Sequence, residues 1–412
     1  MTKKRIFIVD EHISSKQNGV GTYMQCLLDC MKDLNVEVNF LSFNSEEKDF
    51  SFYKQEGRTY YCFPICNGGR MLETGGLCWP VLKMYVADHK DNVFFVNHSP
   101  CADFLKFLRK LYKKSKIVFT IHDQGWTAPL MGDRKRLNEV LSKSYPNKKR
   151  YETELFCKKY FMQERRMYHI ADAVVCLSES TRKLLCDTYK VPMEKIRLIP
   201  NGYPETHTPC NLPVPQQLRK ELGIGEDERI LLFVGRTVRA KGIDDLLIAF
   251  EKLWQHDNKL RLIVAGEVFR LNEFTKLTPS SASHINYIGL IPKDRLQKWY
   301  TVADIGILPS YTEQCCYTGM EMMANGLLVV TTDGNGLTDM FRHEYNALVA
   351  SIKPNLPENL EQTLKAALSL DKDIRASICH RAKEFLQTHY SLSRMRAGYR
   401  SLLDDEPVFP TI

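Results

Sequence analysis

The strongest constraint on this chain is a rhythm in its hydrophobicity: short apolar runs alternate with amphipathic stretches, and the series runs through twice. Ile6–Val9, Glu37–Ser42, Val93–Asn97, Ile117–Ile121, Ala173–Leu177 and Ile196–Ile199 read as strands, with helical patterns over Gly21–Leu34, Asp103–Lys114 and Glu179–Tyr189. Strands then restart at Ile230–Val234, Arg261–Ala265, Ile285–Ile288, Ile305–Leu308 and Leu328–Thr331. Helices at Ile243–Gln255, Lys293–Val302, Gly319–Ala324 and Leu360–Ser369 separate them. Such alternation builds parallel sheets covered by helices. The restart follows Asn201-Gly202-Tyr203-Pro204 and a stretch bearing Pro209, Pro213 and Pro215, which reads as a linker. Two doubly wound, Rossmann-like α/β domains are therefore expected, with ligands where the C-terminal ends of their strands face a cleft. A final segment, His380–Leu403, reads as helical, with Phe385, Tyr390, Met395 and Tyr399 as its apolar markers.

A length of 412 residues exceeds what one hydrophobic core usually serves, which agrees with two domains. Runs such as Ile230–Val234 are far too short to span a bilayer. Lys3, Lys4 and Arg5 precede Ile6–Val9, but that run stops at Asp10 and Glu11, as a strand does and a signal peptide does not. A cytoplasmic, reducing setting is expected. The thirteen cysteines are odd in number and contain no CxxC pair, so they read as reduced thiols, mostly in cores, rather than zinc ligands. Charge is uneven: residues 1–200 carry a net +10 and the remainder −2, with +9 between 101 and 150 alone. A localised basic excess fits an anionic partner or a solvated basic helix. The segment 104–116 is amphipathic. It either buries Phe104, Leu108 and Leu111 in its own domain or meets anionic lipid. No nucleic-acid recognition motif accompanies the charge. The stretch Thr127–Tyr160 reads as an insertion in the first domain.

Two segments of the second half carry chemistry. In Val234-Gly235-Arg236-Thr237-Val238-Arg239-Ala240-Lys241-Gly242, a strand end gives way to a helix. Gly235 permits a close turn, and Arg236 and Lys241 supply cations suited to a diphosphate. Lys241 precedes Gly242 and Ile243, so this is not a P-loop. The second segment runs from Pro309 to Glu321 after another strand end. A helix N-terminus there favours phosphate, Glu321 has the reach to accept two hydrogen bonds from a ribose diol, and Glu313 suits sugar hydroxyls. Asp371-Lys372-Asp373 lies away from both segments and receives no metal role.

In the first half, Asn18-Gly19-Val20-Gly21-Thr22 leads into a helix, with Met24 where a dinucleotide fingerprint needs its third glycine. His98 and His122 each stand just beyond a strand, where ligands bind in such sheets. Asp123 is placed either to position His122 or to bind a ligand.

Arg236 and Lys241 in a GR-x4-KG pattern, Glu313 and Glu321 in E-x7-E, and Ala324-Asn325-Gly326-Leu327 resemble the group-one (family four) glycosyltransferases with the GT-B fold. Ile199-Pro200-Asn201-Gly202, Ala171-Asp172-Ala173-Val174 through Ser178-Glu179, Asn286-Tyr287-Ile288-Gly289 and Ala303-Asp304-Ile305 agree in order and spacing. The resemblance implies a retaining, metal-independent transfer of sugar from a nucleotide-diphosphate sugar, with no cofactor. Residues 1–205 would form the acceptor-side domain, rejoined by a last helix from about 385–412, and 206–384 the donor domain. Arg236 and Lys241 would stabilise the leaving diphosphate, Glu321 would hold ribose, and Glu313 the donor sugar. Gly19 and Gly21 would line the site with backbone, beside Gly235 and Gly319, His122 rather than His98 would orient the sugar, and His98 and Asp123 would be candidates on the acceptor side. The acceptor would be a glycan, a lipid-linked or a small molecule, and a lipid acceptor would favour peripheral contact with an anionic inner membrane face through 104–116. The family's first glutamate is usually followed by Gly-Phe-Gly; here Gln314-Cys315-Cys316-Tyr317-Thr318-Gly319 stands instead, placing Cβ atoms where glycines normally let the donor approach. Two other readings remain open: a sugar-nucleotide epimerase of the same fold, and a non-catalytic nucleotide-sugar or partner-binding subunit.

Overall fold

In the computed structural model we describe residues 3–11, 19–45, 47–64, 75–97, 102–145, 149–204 and 215–406. His98 and the proline-bearing stretch over 205–214 lie outside them. The chain forms two units, dividing at Gly202/Tyr203 and again at Ser391/Leu392.

The first unit opens with β1 (Lys4–Glu11), α1 (Gly19–Lys32) and β2 (Val36–Ser45), then a hairpin of β3 (Ser51–Gln55) and β4 (Arg58–Pro64). It continues through α2 (Gly75–Tyr85), β5 (Asn92–Val96), α3 (Ala102–Leu111), β6 (Lys116–Thr120), α4 (Arg134–Ser142), α5 (Glu152–Ile170), β7 (Ala173–Cys176), α6 (Glu179–Asp187) and β8 (Ile196–Leu198). The sheet order is β3-β4-β2-β1-β5-β6-β7-β8, and every pairing is parallel except β3 with β4. Ile6, Phe7, Ile8 and Val9 in β1 are at most 1% exposed, so both sheet faces are covered. That is why these strands read as unbroken apolar runs. The hairpin was not legible in this way. Phe52 to Gln55 are all exposed, leaving no buried face to set an alternation, and the turn needs left-handed backbone at Glu56 (φ +50°) and Gly57 (φ +74°). The expected insertion over Thr127–Tyr160 is instead part of the core: α4 and α5 bury Leu137, Val140 and Cys157 there.

The second unit runs α7 (Pro215–Glu221), β9 (Arg229–Val234), α8 (Ile243–His256), β10 (Leu260–Ala265), α9 (Leu271–Leu277), β11 (Ile285–Gly289) and α10 (Lys293–Val302). After these come β12 (Ile305–Leu308), α11 (Tyr317–Ala324), β13 (Leu328–Thr332), α12 (Leu337–Met340), β14 (Leu348–Ala350), α13 (Leu356–Leu368) and α14 (Lys372–His389). Its wholly parallel sheet has the order β11-β10-β9-β12-β13-β14. The chain winds outward from β9 to β11, then returns to β12 on the other flank of β9. The strand order therefore reverses between β9 and β12, where ligands bind in open α/β sheets.

The helix expected over His380–Leu403 is two helices. At Tyr390 the backbone leaves the helical region (φ −126°, ψ 27°), and its carbonyl accepts the Tyr203 N–H at 2.7 Å. The chain then returns to the first unit as α15 (Leu392–Leu403), which packs on α1 and buries Met395, Tyr399, Leu402 and Leu403. The hydroxyls of Tyr23 and Tyr399, both fully buried, lie 2.6 Å apart, and Lys116 Nζ donates to the Leu402 carbonyl at 2.7 Å. Tyr399→Ala is expected to destabilise the first unit by about 3–5 kcal/mol through loss of ring packing. Tyr399→Phe, which loses only a hydrogen bond, should cost about 1 kcal/mol. Urea denaturation of the two variants checks this; equal losses would show that packing is not what holds α15.

Candidate functional site

The reversal point of the second sheet is where the two sequence segments meet. Gly235 ends β9 with φ +153°, and its N–H donates to the Ala265 carbonyl at 2.9 Å. Gly266 closes on it from β10, since a Cβ there would lie 1.9 Å from the Gly235 oxygen. Gly235 is thus required by its own backbone angle, and Gly266 by space. Arg236 then stands exposed and, among the described residues, has no side-chain partner.

The chain next tightens over Arg239–Lys241 and turns at Gly242, whose φ is +68° and whose added Cβ would lie 1.9 Å from the Pro309 carbonyl oxygen. The Tyr311 N–H donates to the Ala240 carbonyl at 3.0 Å across the same contact. Bare backbone from β9 and β12 therefore abuts, and side chains on either side converge. Lys241 Nζ donates to Glu313 Oε1 at 2.5 Å, and Ser310 Oγ to the same oxygen at 2.8 Å. The pair is largely shielded from water, with side-chain exposures of 22% and 11%.

A third loop, Asp333–Gly336 after β13, supports this arrangement and was missed by sequence reasoning. The Glu313 N–H donates to the Asn335 carbonyl at 2.9 Å, and Thr332 Oγ1 donates to the Ser310 carbonyl at 2.5 Å. Gly336, at φ +79°, leaves no room for a Cβ, which would sit 2.0 Å from the Glu313 oxygen. The signal was Gly-Asn-Gly placed directly beyond a strand.

Glu321 lies in α11, half-buried, and accepts the Tyr300 hydroxyl at 2.8 Å. Burial raises its carboxyl above the ordinary value, opposed by that hydrogen bond and by the charge of Lys293. Gly319 is buried, and a Cβ there would meet Phe341 at 2.9 Å and Leu308 at 3.2 Å; its bareness serves core packing. Cys315 and Cys316 are buried thiols outside any disulfide, and burial pushes Cys316 up to about 12, far from a thiolate at neutral pH.

In the first unit, Gly19 and Gly21 belong to the first turn of α1 rather than to a preceding loop. His122 follows β6, with its ring edge-on to Tyr23 at a centroid distance of 4.3 Å. Asp123 accepts from the Gln124 N–H and the Thr127 hydroxyl, each at 2.8 Å, and so closes the turn after His122. The basic helix α3 buries Phe104, Leu105 and Leu108 in its own core. Lys106, Phe107, Lys110, Lys113 and Lys114 are exposed, while Arg109 pairs with Asp172 and Lys116 with Asp405. Among the described residues no three His, Cys, Asp or Glu side chains are grouped to hold a metal, and no helix is long and apolar enough to cross a membrane.

Comparison with known proteins bears on both units. A profile described as "Glycosyl transferases group 1" matches residues 215–385, and one described as "Glycosyltransferase Family 4" matches 17–206. An uncharacterized glycosyltransferase of Methanocaldococcus jannaschii is 28% identical over 53% of this chain and 56% of its own length. The match thus spans about half of that relative. The structure of sucrose-phosphate synthase from Thermosynechococcus elongatus superposes with a TM-score of 0.73 at 18% identity, covering 98% of both chains. The Anabaena protein HepE, in complex with UDP and glucose, gives a TM-score of 0.67 at 14% identity, covering 97% of this chain and 99% of its own. These likenesses establish the fold.

The backbone contact at Gly242 yields a test. Gly242→Ala combines a positive φ with a collision, so it should lower the melting temperature of the second unit sharply and separate Lys241 from Glu313. Gly223→Ala has the same φ of +68° but meets nothing within 4 Å, and should cost only about 1 kcal/mol. Equal shifts in a thermal melt would mean the loop contact is not tight.

Proposed function

The chain belongs to the group 1 glycosyltransferases with the GT-B fold, and on that premise we propose that it moves a sugar from a nucleotide-diphosphate sugar to an acceptor. The observation that carries this reading is the assembly at the strand reversal: an exposed, partnerless arginine beside a shielded Lys241–Glu313 pair. Arg236 takes the diphosphate by a fork of hydrogen bonds, and Lys241 supplies a fixed charge that grows in value as the leaving group becomes anionic. Glu313, held by Lys241 and Ser310, receives hydroxyls of the donor sugar. Glu321 accepts the ribose diol, and His122 orients the sugar. The complex of HepE with UDP and glucose supports a nucleotide diphosphate and a hexose as the ligand class. Transfer proceeds with retention at the anomeric carbon and without a metal, the two cations doing the work a metal would do.

The acceptor is a glycan, a lipid-linked or a small molecule. A lipid-linked acceptor is supported by the exposed row of Lys106, Lys110, Lys113 and Lys114 beside the half-exposed ring of Phe107. On this reading the protein works at the cytoplasmic side, touching anionic lipid through that helix.

The decisive experiment titrates nucleotide diphosphates and their sugars into the protein with EDTA present, followed by detection of transfer. No binding, or binding that EDTA abolishes, would contradict the reading. Arg236→Ala should weaken diphosphate binding by about 10- to 100-fold, the worth of a charged hydrogen bond, and leave thermal stability unchanged. Lys241→Ala should weaken binding and also lower stability, because Glu313 is left shielded without its cation.

Glu321 adds a pH test. A ribose diol donates to the ionised carboxylate, and burial holds that carboxyl above its ordinary value. Nucleotide affinity should therefore begin to fall, as pH is lowered, at a higher pH than an exposed glutamate would give. Glu321→Gln should bind more weakly and independently of pH over that range; a wild-type affinity flat down to pH 4 would rule the role out.

A further inference from the structure

The turn that carries His122 is anchored by a side chain that none of these roles uses. Glu164, within α5, is only 2% exposed. Its Oε1 accepts the Gly125 N–H at 2.7 Å, and its Oε2 accepts the Tyr189 hydroxyl. The Tyr189 oxygen in turn accepts the Trp126 indole N–H at 3.1 Å. Two consecutive residues of one turn are thus tied to a single carboxyl, one directly and one through a tyrosine. Gly125 lies flat against the same helix, since a Cβ there would come within 2.4 Å of the Tyr160 ring. At the near end Asp123 closes the turn on Gln124 and Thr127, and His122 immediately precedes it.

Keeping a carboxyl in this place is costly. Burial, with added repulsion from Asp123, raises Glu164 to about 8 from an ordinary value of 4.5. Leucine would be cheaper to bury but offers no acceptor to Gly125. A group retained against that cost, with its bonds directed at one turn, is placed to fix the geometry of that turn.

We propose that Glu164 is a positioning residue for sugar transfer: it holds the His122 turn through Gly125 and Trp126 and touches no substrate itself. The proposal rests on the reading of His122 as the residue that orients the donor sugar. Misplacing a substrate-positioning group by about 1 Å can cost about 100-fold in rate. With folded fraction measured, Glu164→Leu should lower kcat by about 10-fold or more and leave the donor KM within about twofold, because donor binding rests on other residues. Glu164→Gln keeps an acceptor for Gly125 and reverses the bond to Tyr189, whose oxygen then accepts from the amide as well as from Trp126, and should restore kcat to within about threefold of wild type.

The pairing with His122 discriminates further. If Glu164 acts through His122, the double variant His122→Ala/Glu164→Leu should be no slower than His122→Ala alone. Additive losses, or a Glu164→Leu effect confined to folded fraction, would overturn the proposal. Should Glu164→Leu fail to fold, Tyr189→Phe releases Trp126 and takes the donor from Glu164 Oε2 while Gly125 stays bonded, and should show the same kcat-only loss and the same non-additivity; its absence there is equally decisive against it. Wild-type turnover in His122→Ala would be a different failure: it removes the role of His122, and this proposal with it.

Discussion

The candidate site in the second unit depends on backbone touching backbone. Four strand ends leave one edge of a parallel sheet, and their loops meet where Gly242 faces the Pro309 carbonyl, Gly266 faces the Gly235 carbonyl and Gly336 faces the Glu313 carbonyl. At each point a Cβ would stand about 2 Å from an oxygen, closer than any side chain tolerates. The contacts themselves contribute little attraction. Their effect is geometric: they bring residues 241 and 313, distant in sequence, within one hydrogen bond of each other. The Lys241–Glu313 pair is a consequence of the glycines rather than a cause of the fold.

That geometry sets the electrostatics. A shielded lysine or glutamate alone would pay heavily in lost hydration, and each is tolerable because the other is there. Ser310 satisfies a second lone pair of the same carboxylate oxygen, so Glu313 has little freedom to turn away. Arg236 is different in kind: exposed and, among the described residues, without a side-chain partner, it keeps its hydration. One cation is thus pre-oriented by an internal partner and the other is not. Glu321 shows a third arrangement, a half-buried carboxylate steadied by one tyrosine hydroxyl. Each environment follows from how deep the strand-end loops have set the side chain.

Much of this was legible in the sequence, for definite reasons. The central strands were visible because parallel strands bury both faces, so Leu231, Leu232 and Phe233 read as a continuous apolar run. Arg236, Lys241, Glu313 and Glu321 were visible because strand ends locate sites and their residue types suit a diphosphate sugar. The β3–β4 hairpin was hidden by its exposure, and the break at Tyr390 by an apolar spacing that continues across it. The glycines divide along the same line. Gly235 and Gly242 stood out beside charged residues, whereas Gly266, Gly334 and Gly336 did not, because what makes them necessary is a carbonyl from a distant segment. Glu164 is the extreme case. It sits in Gln163-Glu164-Arg165-Arg166, which reads as a solvated helical face, yet it is buried while Arg165 and Arg166 are exposed.

The two units therefore support their candidate residues by different physics. In the second, support comes from the absence of atoms, and any added side chain at Gly242, Gly266 or Gly336 is an error regardless of its chemistry. In the first, the His122 turn is supported by directed hydrogen bonds to Glu164, Tyr189 and Asp123, where chemistry matters more than volume. A backbone-packed loop is stiff and indifferent to pH. A turn tied to a buried carboxyl is held by bonds whose donors and acceptors depend on that carboxyl's proton, and burial has raised Glu164 to about 8. Stiffness suits a diphosphate, whose charge and spacing are the same in every nucleotide sugar. The His122 turn is fixed instead by the direction of its bonds, which is what the proposed role of orienting the donor sugar requires.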